Sequence, residues 1–190
     1  VWLQHPDRDT VDGVVYAPGL GRYINRNEQT LLNQFHKPIA AASYDKAQLT
    51  PFFKLMNHLF PDETERDWFI QWMAFTYKHP EERPHVTPLH IAPDTGTGRG
   101  TLVVILQKLL GRWNVKRTNL ADMMKGAYNE YLDRSTLVIV DEIGSGGHKY
   151  DAMAVLNEVL TESDTNVNRK FGAKGTVDIY CNFLFLSNER

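Results

Sequence analysis

Apolar positions along the chain follow two periods, and the changes between them mark out the elements. From residue 50 to 77 the spacing is helical. Phe52, Phe53, Leu55, Met56, Leu59 and Phe60 form one stripe, and Trp68, Phe69, Trp72, Met73 and Tyr77 form a second; each reads as the core-facing side of an amphipathic helix. Thr50-Pro51 offers an N-cap with proline at the first helical position. Pro61 ends the first helix, and Asp62 with Glu65 has capping-box spacing for the next. A third stripe (Leu102, Val103, Ile105, Leu106, Leu109, Leu110) begins at Thr101 and stops at Gly111. Asn119 is placed to cap a helix through Met123, Met124, Tyr128 and Tyr131, and Tyr150–Leu160 has helical periodicity again. Thr136–Val140 is instead a continuous apolar run, as in a strand buried on both faces. Leu89 and Ile91, Val177–Tyr180 and Asn182–Leu186 supply further strands. Strands alternating with helices predict an α/β domain with a mainly parallel sheet.

Residues 1–45 have no such long periodicity and predict short strands and turns. Val14-Val15-Tyr16 and Arg22-Tyr23-Ile24 flank Ala17-Pro18-Gly19-Leu20-Gly21, the pattern of a hairpin with a proline-glycine turn. Lys78–Val86, with two prolines and mixed charge, reads as a linker. The expected organisation is a strand and turn region over 1–45, a helical lead-in and linker over 46–86, and the main α/β unit over 87–190.

Composition narrows this little. The 190 residues are 42% hydrophobic and 23% charged, with a net charge of −2, so any surface for nucleic acid must be local rather than global. No apolar run approaches the roughly 20 residues of a membrane-spanning helix. The one cysteine, Cys181, excludes an internal disulfide and fits a reducing, cytoplasmic compartment. The chain opens on Val1 and stops at Arg190 directly after an apolar strand, and reads as part of something longer.

Three stretches carry chemistry. In Pro88–Thr101 a short strand meets the glycine-rich turn Gly96-Thr97-Gly98-Arg99-Gly100, and a helix follows. Strand, glycine loop and helix together aim unpaired amides and a helix dipole at an anion. Against the phosphate-loop pattern G-x-x-x-x-G-K-[ST], Pro93 stands at the first glycine, Arg99 at the lysine and Gly100 at the hydroxyl, with Thr101 one step late. Alone, the loop is equally an ordinary strand-to-helix turn. The second stretch is Leu137–Glu142, where a buried strand emerges into Asp141 and Glu142. Carboxylates there need solvent or a cation, and in nucleotide hydrolases such a pair holds magnesium and orients water. The third is Phe183–Asn188, a buried strand that ends in an amide able to face a phosphate or a water, although by itself Ser-Asn after a strand reads first as a turn. Between the last two, Asn166–Lys174 interleaves basic and aromatic residues with glycine, a pattern of either nucleic-acid contact or a solvated hairpin.

Taken in order, APDTGTGRGTLVVILQKLLGRWNV, LVIVDEI, NVNRKFGAKGTVDIYCN and FLFLSNER resemble the ATPase domain of superfamily 3 helicases. Among these the chain is similar to the helicase part of phage and plasmid primase-helicases, the group related to poxvirus-type primase-helicases. The resemblance covers roughly residues 50–190. It implies an α/β P-loop NTPase (AAA+-like) core that binds ATP and Mg²⁺. Gly96, Thr97, Gly98, Gly100 and Thr101 would then wrap the triphosphate, with Arg99 in place of the lysine. Asp141, helped by Thr101, would hold the metal, Glu142 would activate water, and Asn188 would sense the γ-phosphate. Arg169, Lys170 and Lys174 would contact single-stranded DNA in the channel of a hexameric ring. The resemblance also implies a linked primase or polymerase domain, and an arginine finger beyond residue 190. Arg99 departs from the pattern, because a planar guanidinium replaces a compact ammonium; ATP·Mg²⁺ binding with weak or assembly-dependent hydrolysis is the expected consequence. Two rivals stand beside the helicase: a nucleotide- or DNA-binding module with a degraded loop, and an AAA+ type protein-remodelling or loader ATPase.

Overall fold

Leu137–Asp141 (β6) is fully buried up to its last residue, and it lies inside a four-stranded, all-parallel sheet. The computed structural model describes residues 10–40, 43, 45–92, 96–125, 129–141, 157, 160–161, 163–167 and 175–188. The other strands of this sheet are Leu89–Ile91 (β4), Val115–Asn119 (β5) and Asn182–Ser187 (β9), in the order β4-β9-β6-β5. The register pairs Asn119 with Asp141, Val140 with Phe185, and Ile91 with Ser187. All four strands therefore end at one edge.

Alternation along the inner strands sends side chains to two cores. Leu137, Ile139, Leu184 and Leu186 pack with the helices Thr50–Leu59 (α1), Glu63–Lys78 (α2) and Arg99–Leu110 (α3), through Met56, Phe69, Trp72, Leu102 and Leu106. Val138, Val140, Phe183 and Phe185 meet Leu120 and Met123 of the helix Leu120–Lys125 (α4), with Leu132, Ile179 and Cys181. Burial pushes the Cys181 thiol up to about 12, which leaves little thiolate for reaction.

Several local expectations are corrected. The hairpin near the N-terminus is formed by Tyr23–Arg26 (β2) and Gln29–Asn33 (β3), turning at Asn27 and Glu28 with φ of 49° and 63°. Positive φ at both central residues marks the type I′ turn. Gly13–Val15 (β1) instead pairs in parallel with β3, in the order β1-β3-β2. Asn33 explains why the Pro18-Gly19 segment is a loop between strands that do not pair: its Nδ2 donates to Ala17 O at 2.8 Å and to Gly21 O at 3.1 Å. Its Oδ1 accepts from Ala17 N at 3.0 Å.

Thr50 lies inside α1, which follows a 3₁₀ turn (Lys46–Leu49) capped by Asp45. Asp62 does cap α2, accepting from Glu65 N at 3.0 Å. Trp68 leaves the apolar stripe and is exposed, while Tyr77 donates to Pro38 O at 3.0 Å. β4 inverts its expected alternation: His90 faces inward, and Leu89 and Ile91 are exposed on this edge strand. β5 had no apolar signature and was not expected. Asn119 closes β5 and caps α4, accepting from Asp122 N at 2.8 Å; Tyr128 lies outside the described residues, and Tyr131 falls in a separate 3₁₀ turn, Glu130–Leu132. The helix read over 150–160 lies almost wholly outside the described residues. Asp164–Val167 (β7) and Gly175–Asp178 (β8) form an antiparallel hairpin, and the basic stretch between them, 168–174, also lies outside. Among the described residues no helix is long and apolar enough to cross a membrane.

Candidate nucleotide site

Because the strands are parallel, each delivers its last residue to the same rim, the usual place for a ligand in an open α/β sheet. β9 lies between β4 and β6, so its end separates the glycine loop from Asp141. The loop turns through two left-handed glycines, Gly96 at φ +75° and Gly98 at φ +91°. A Cβ on Gly98 would stand 2.8 Å from Leu55 Cδ1, a methyl that can shift, so it is the positive φ that favours glycine here. Gly98 is also the N-cap of α3 and makes no side-chain cap bond. The first amides of α3 therefore keep their hydrogens for something else.

Gly96, Thr97, Gly98, Arg99, Gly100, Val103, Arg117, Asp141, Leu186 and Asn188 surround one cleft of about 350 Å³, within the range of small-ligand pockets. Arg99 crosses to the end of β9, where Nη1 donates to Ser187 O at 2.8 Å and Nη2 to Asn188 Oδ1. Asp141 is held by Arg117, whose Nε and Nη2 reach Oδ2 at 3.0 and 2.5 Å. Among the described residues the cleft thus carries two guanidinium cations against one carboxylate, an excess suited to an anion. A Cβ on Gly100 would meet nothing within 4 Å, so the first turn of α3 leaves room beside the loop.

Of the residues singled out in the sequence, Gly96, Thr97, Gly98, Arg99, Gly100, Asp141 and Asn188 come together in this cleft. Thr101 is exposed on α3 and does not line it. Glu142, Arg169, Lys170 and Lys174 lie outside the described residues. Arg117 was missed. The signal that could have found it is topological: the chain must return to the sheet after α3, and Val115–Asn119 is the segment long enough to do so before the Asn119 cap.

These residues fit a triphosphate, which needs close backbone approach, free amides and cations. For a divalent metal the charged donor among the described residues is Asp141, which Arg117 holds.

His90, just before the loop, is buried with Nε2 on Leu59 O at 3.0 Å and its ring edge-on to Phe60. Among the described residues Nδ1 has no partner, so the imidazole is neutral with its hydrogen on Nε2. Burial drives its pKa below the ordinary 6.5; the Leu59 carbonyl opposes this and the Arg99 charge adds to it. The unfolded chain therefore takes the proton first, and stability declines as pH falls below about 6.5. In urea titrations between pH 7 and 5 the midpoint should fall, and His90→Gln should flatten that fall. An unchanged slope in the variant would contradict this assignment.

The family model described as a family of unknown function, DUF5906, matches residues 91–190, which include every candidate residue in the cleft. No curated protein matches the sequence. The chain is similar to the solved apo structure of the NrS-1 C-terminal region (305–718), at 23% identity and a TM-score of 0.79, over 93% of this chain and 42% of that one. Two A-form apo structures of the same region match at TM-scores of 0.72 and 0.69 with 23% and 24% identity, over 92% and 93% of this chain and 41% and 42% of theirs. The chain spans about two fifths of the length of these structures, and the likeness is one of fold.

Proposed function

The chain belongs to the DUF5906 family, and from that premise we propose that it is the nucleotide-binding, helicase-like module of a replication protein, acting on ATP·Mg²⁺ and single-stranded DNA. One observation supports this most: the glycine loop, Asp141 and Asn188 share a single cleft. The motif order that resembles superfamily 3 primase-helicases and the fold likeness to the NrS-1 C-terminal region point the same way.

In this reading the loop amides and the start of α3 bind the phosphates. Arg99 offers its remaining N–H groups to the terminal phosphate while Ser187 O and Asn188 fix its plane. Asp141 would hold Mg²⁺, which when bound offsets charge on the phosphate oxygens. Arg117, once released, stands free to meet the same anion. Glu142 would orient water, and Arg169, Lys170 and Lys174 would meet the DNA of a ring-shaped assembly. A weaker hydrolase, or a purely binding module, is favoured as the second reading by Arg99 itself, because a guanidinium tied to β9 cannot follow a moving phosphoryl group as a flexible lysine can.

Titration with a fluorescent non-hydrolysable ATP analogue tests the proposal. Saturable binding that requires Mg²⁺ and weakens in Arg99→Ala is the expected result. Binding indifferent to both would refute it, and phosphate release with and without single-stranded DNA then separates the two readings.

A further inference from the structure

The molecule has a second recess, larger than the nucleotide cleft and on the opposite rim of the sheet. It occupies about 980 Å³ between the small N-terminal sheet and the 3₁₀ turn Arg112–Asn114 that leads into β5. Its walls carry Arg22, Lys37, Lys116 and Arg134, and no described carboxylate lines it. In a chain of net charge −2 this is a strong local asymmetry. Arg134 shares its charge with Asp133 at 3.6 Å. Lys37 lies over the Tyr77 ring at 4.6 Å and Arg22 over Tyr23 at 5.4 Å; these contacts orient a cation without neutralising it.

Beside these charges sits Trp113, 53% exposed yet fixed. Its Nε1 donates to His36 O at 2.9 Å. Gly111, at φ +85°, makes way for the indole, since a Cβ there would lie 2.8 Å from Trp113 Cε2. Tyr16 and Phe35 add an edge-to-face pair at 5.8 Å. An exposed indole held rigid from two sides is poorly explained by packing. It is a surface on which a flat ring can stack at little entropic cost. A smaller cavity of about 310 Å³ shares Tyr16, Gln34 and Arg134 with the recess and continues to Thr176, Val177 and Asp178 on β8. That strand pairs antiparallel with β7.

We infer that this groove is a second binding site for single-stranded nucleic acid, with Arg22, Lys37 and Lys116 on successive phosphates and Trp113 stacked on a base. The inference rests on the reading of the chain as a single-strand-binding module, but on none of the residues assigned there. Lys116 is three residues from Asn119, or about 10 Å along β5 from the nucleotide rim. A bound strand would therefore not occupy the ATP cleft. Phosphate-binding cations set the affinity and its salt dependence, and the aromatic platform selects unpaired bases.

Fluorescence anisotropy with labelled dT15 and rU15, each titrated at several salt concentrations, tests the groove. The double variant Arg22→Ala/Lys116→Ala should bind more weakly, and its log–log salt slope should be shallower by roughly 1.4, the share of two phosphate contacts on a single strand. Trp113→Ala should lose about fivefold or more, and Trp113→Phe should recover part of that loss. The ratio of dT15 to rU15 affinity tells which sugar the groove receives. Wild-type protein that ignores both oligomers, or that binds blunt duplex or inorganic polyphosphate as tightly, would overturn the inference. So would groove variants that bind dT15 like wild type while Lys170→Ala does not, a result that leaves the function proposed above intact. Both groove variants should keep wild-type binding of the ATP analogue.

Discussion

Asp141→Ala should abolish magnesium-dependent nucleotide binding, or cut any measurable ATP turnover by at least about a hundredfold, with almost no change in stability. The two effects separate because of where the residue sits. Asp141 ends a strand whose preceding four residues are buried, yet its own side chain is 28% exposed and that of its partner Arg117 is 54% exposed. An ion pair this open to water is worth less than about 1 kcal/mol, so its loss barely touches folding. The carboxylate is nevertheless the cleft's one described anionic group, so no other described side chain there can offset a divalent cation's charge. Isothermal titration with the ATP analogue and Mg²⁺, beside a urea melt of the same sample, reads both quantities. Retained magnesium dependence in the variant would remove Asp141 from the site.

The largest expected stability change is at Phe183. It is 1% exposed in an inner strand and packs against Val138, Val140 and Leu132. Phe183→Ala should cost about 3–5 kcal/mol through lost burial and a residual cavity, a large share of the ~5–15 kcal/mol available to a domain of this kind. Since β9 also carries Ser187 and Asn188, which hold Arg99, nucleotide affinity should fall as well. A urea-derived loss below about 1 kcal/mol would mean that β9 is not the packed centre of the sheet.

The elements that could be read from the sequence are those whose burial is simple. β6 is buried on both faces and appears as an unbroken apolar run. α2 and α3 face one core and show their stripes, and Asn119 announced its cap. Other elements were hidden because their environment differs from face to face. β5 is an edge strand whose sequence VKRTN buries only its first residue, so no alternation marks it, and Arg117 stayed hidden with it. β4 is the opposite edge, where Leu89 and Ile91 face outward and the buried group is a histidine hydrogen-bonded to the last residue of α1. In the β1-β3-β2 sheet the loop from β1 to β2 is tied by the side chain of Asn33, 12 to 16 residues from the backbone groups it holds, a distance no local pattern conveys. The glycine loop was legible as a tight turn between a strand and a helix. Two features needed coordinates: Arg99 turned toward β9, and Asp141 occupied by Arg117.

The most direct measurement is the anomalous signal of Mn²⁺ in crystals grown with a non-hydrolysable ATP analogue. The expected result is one strong peak in coordination distance of Asp141, phosphates along Gly96–Gly100, and Arg117 turned away from the carboxylate. A nucleotide seated elsewhere, or a metal peak with Asp141 still bound to Arg117, would contradict it.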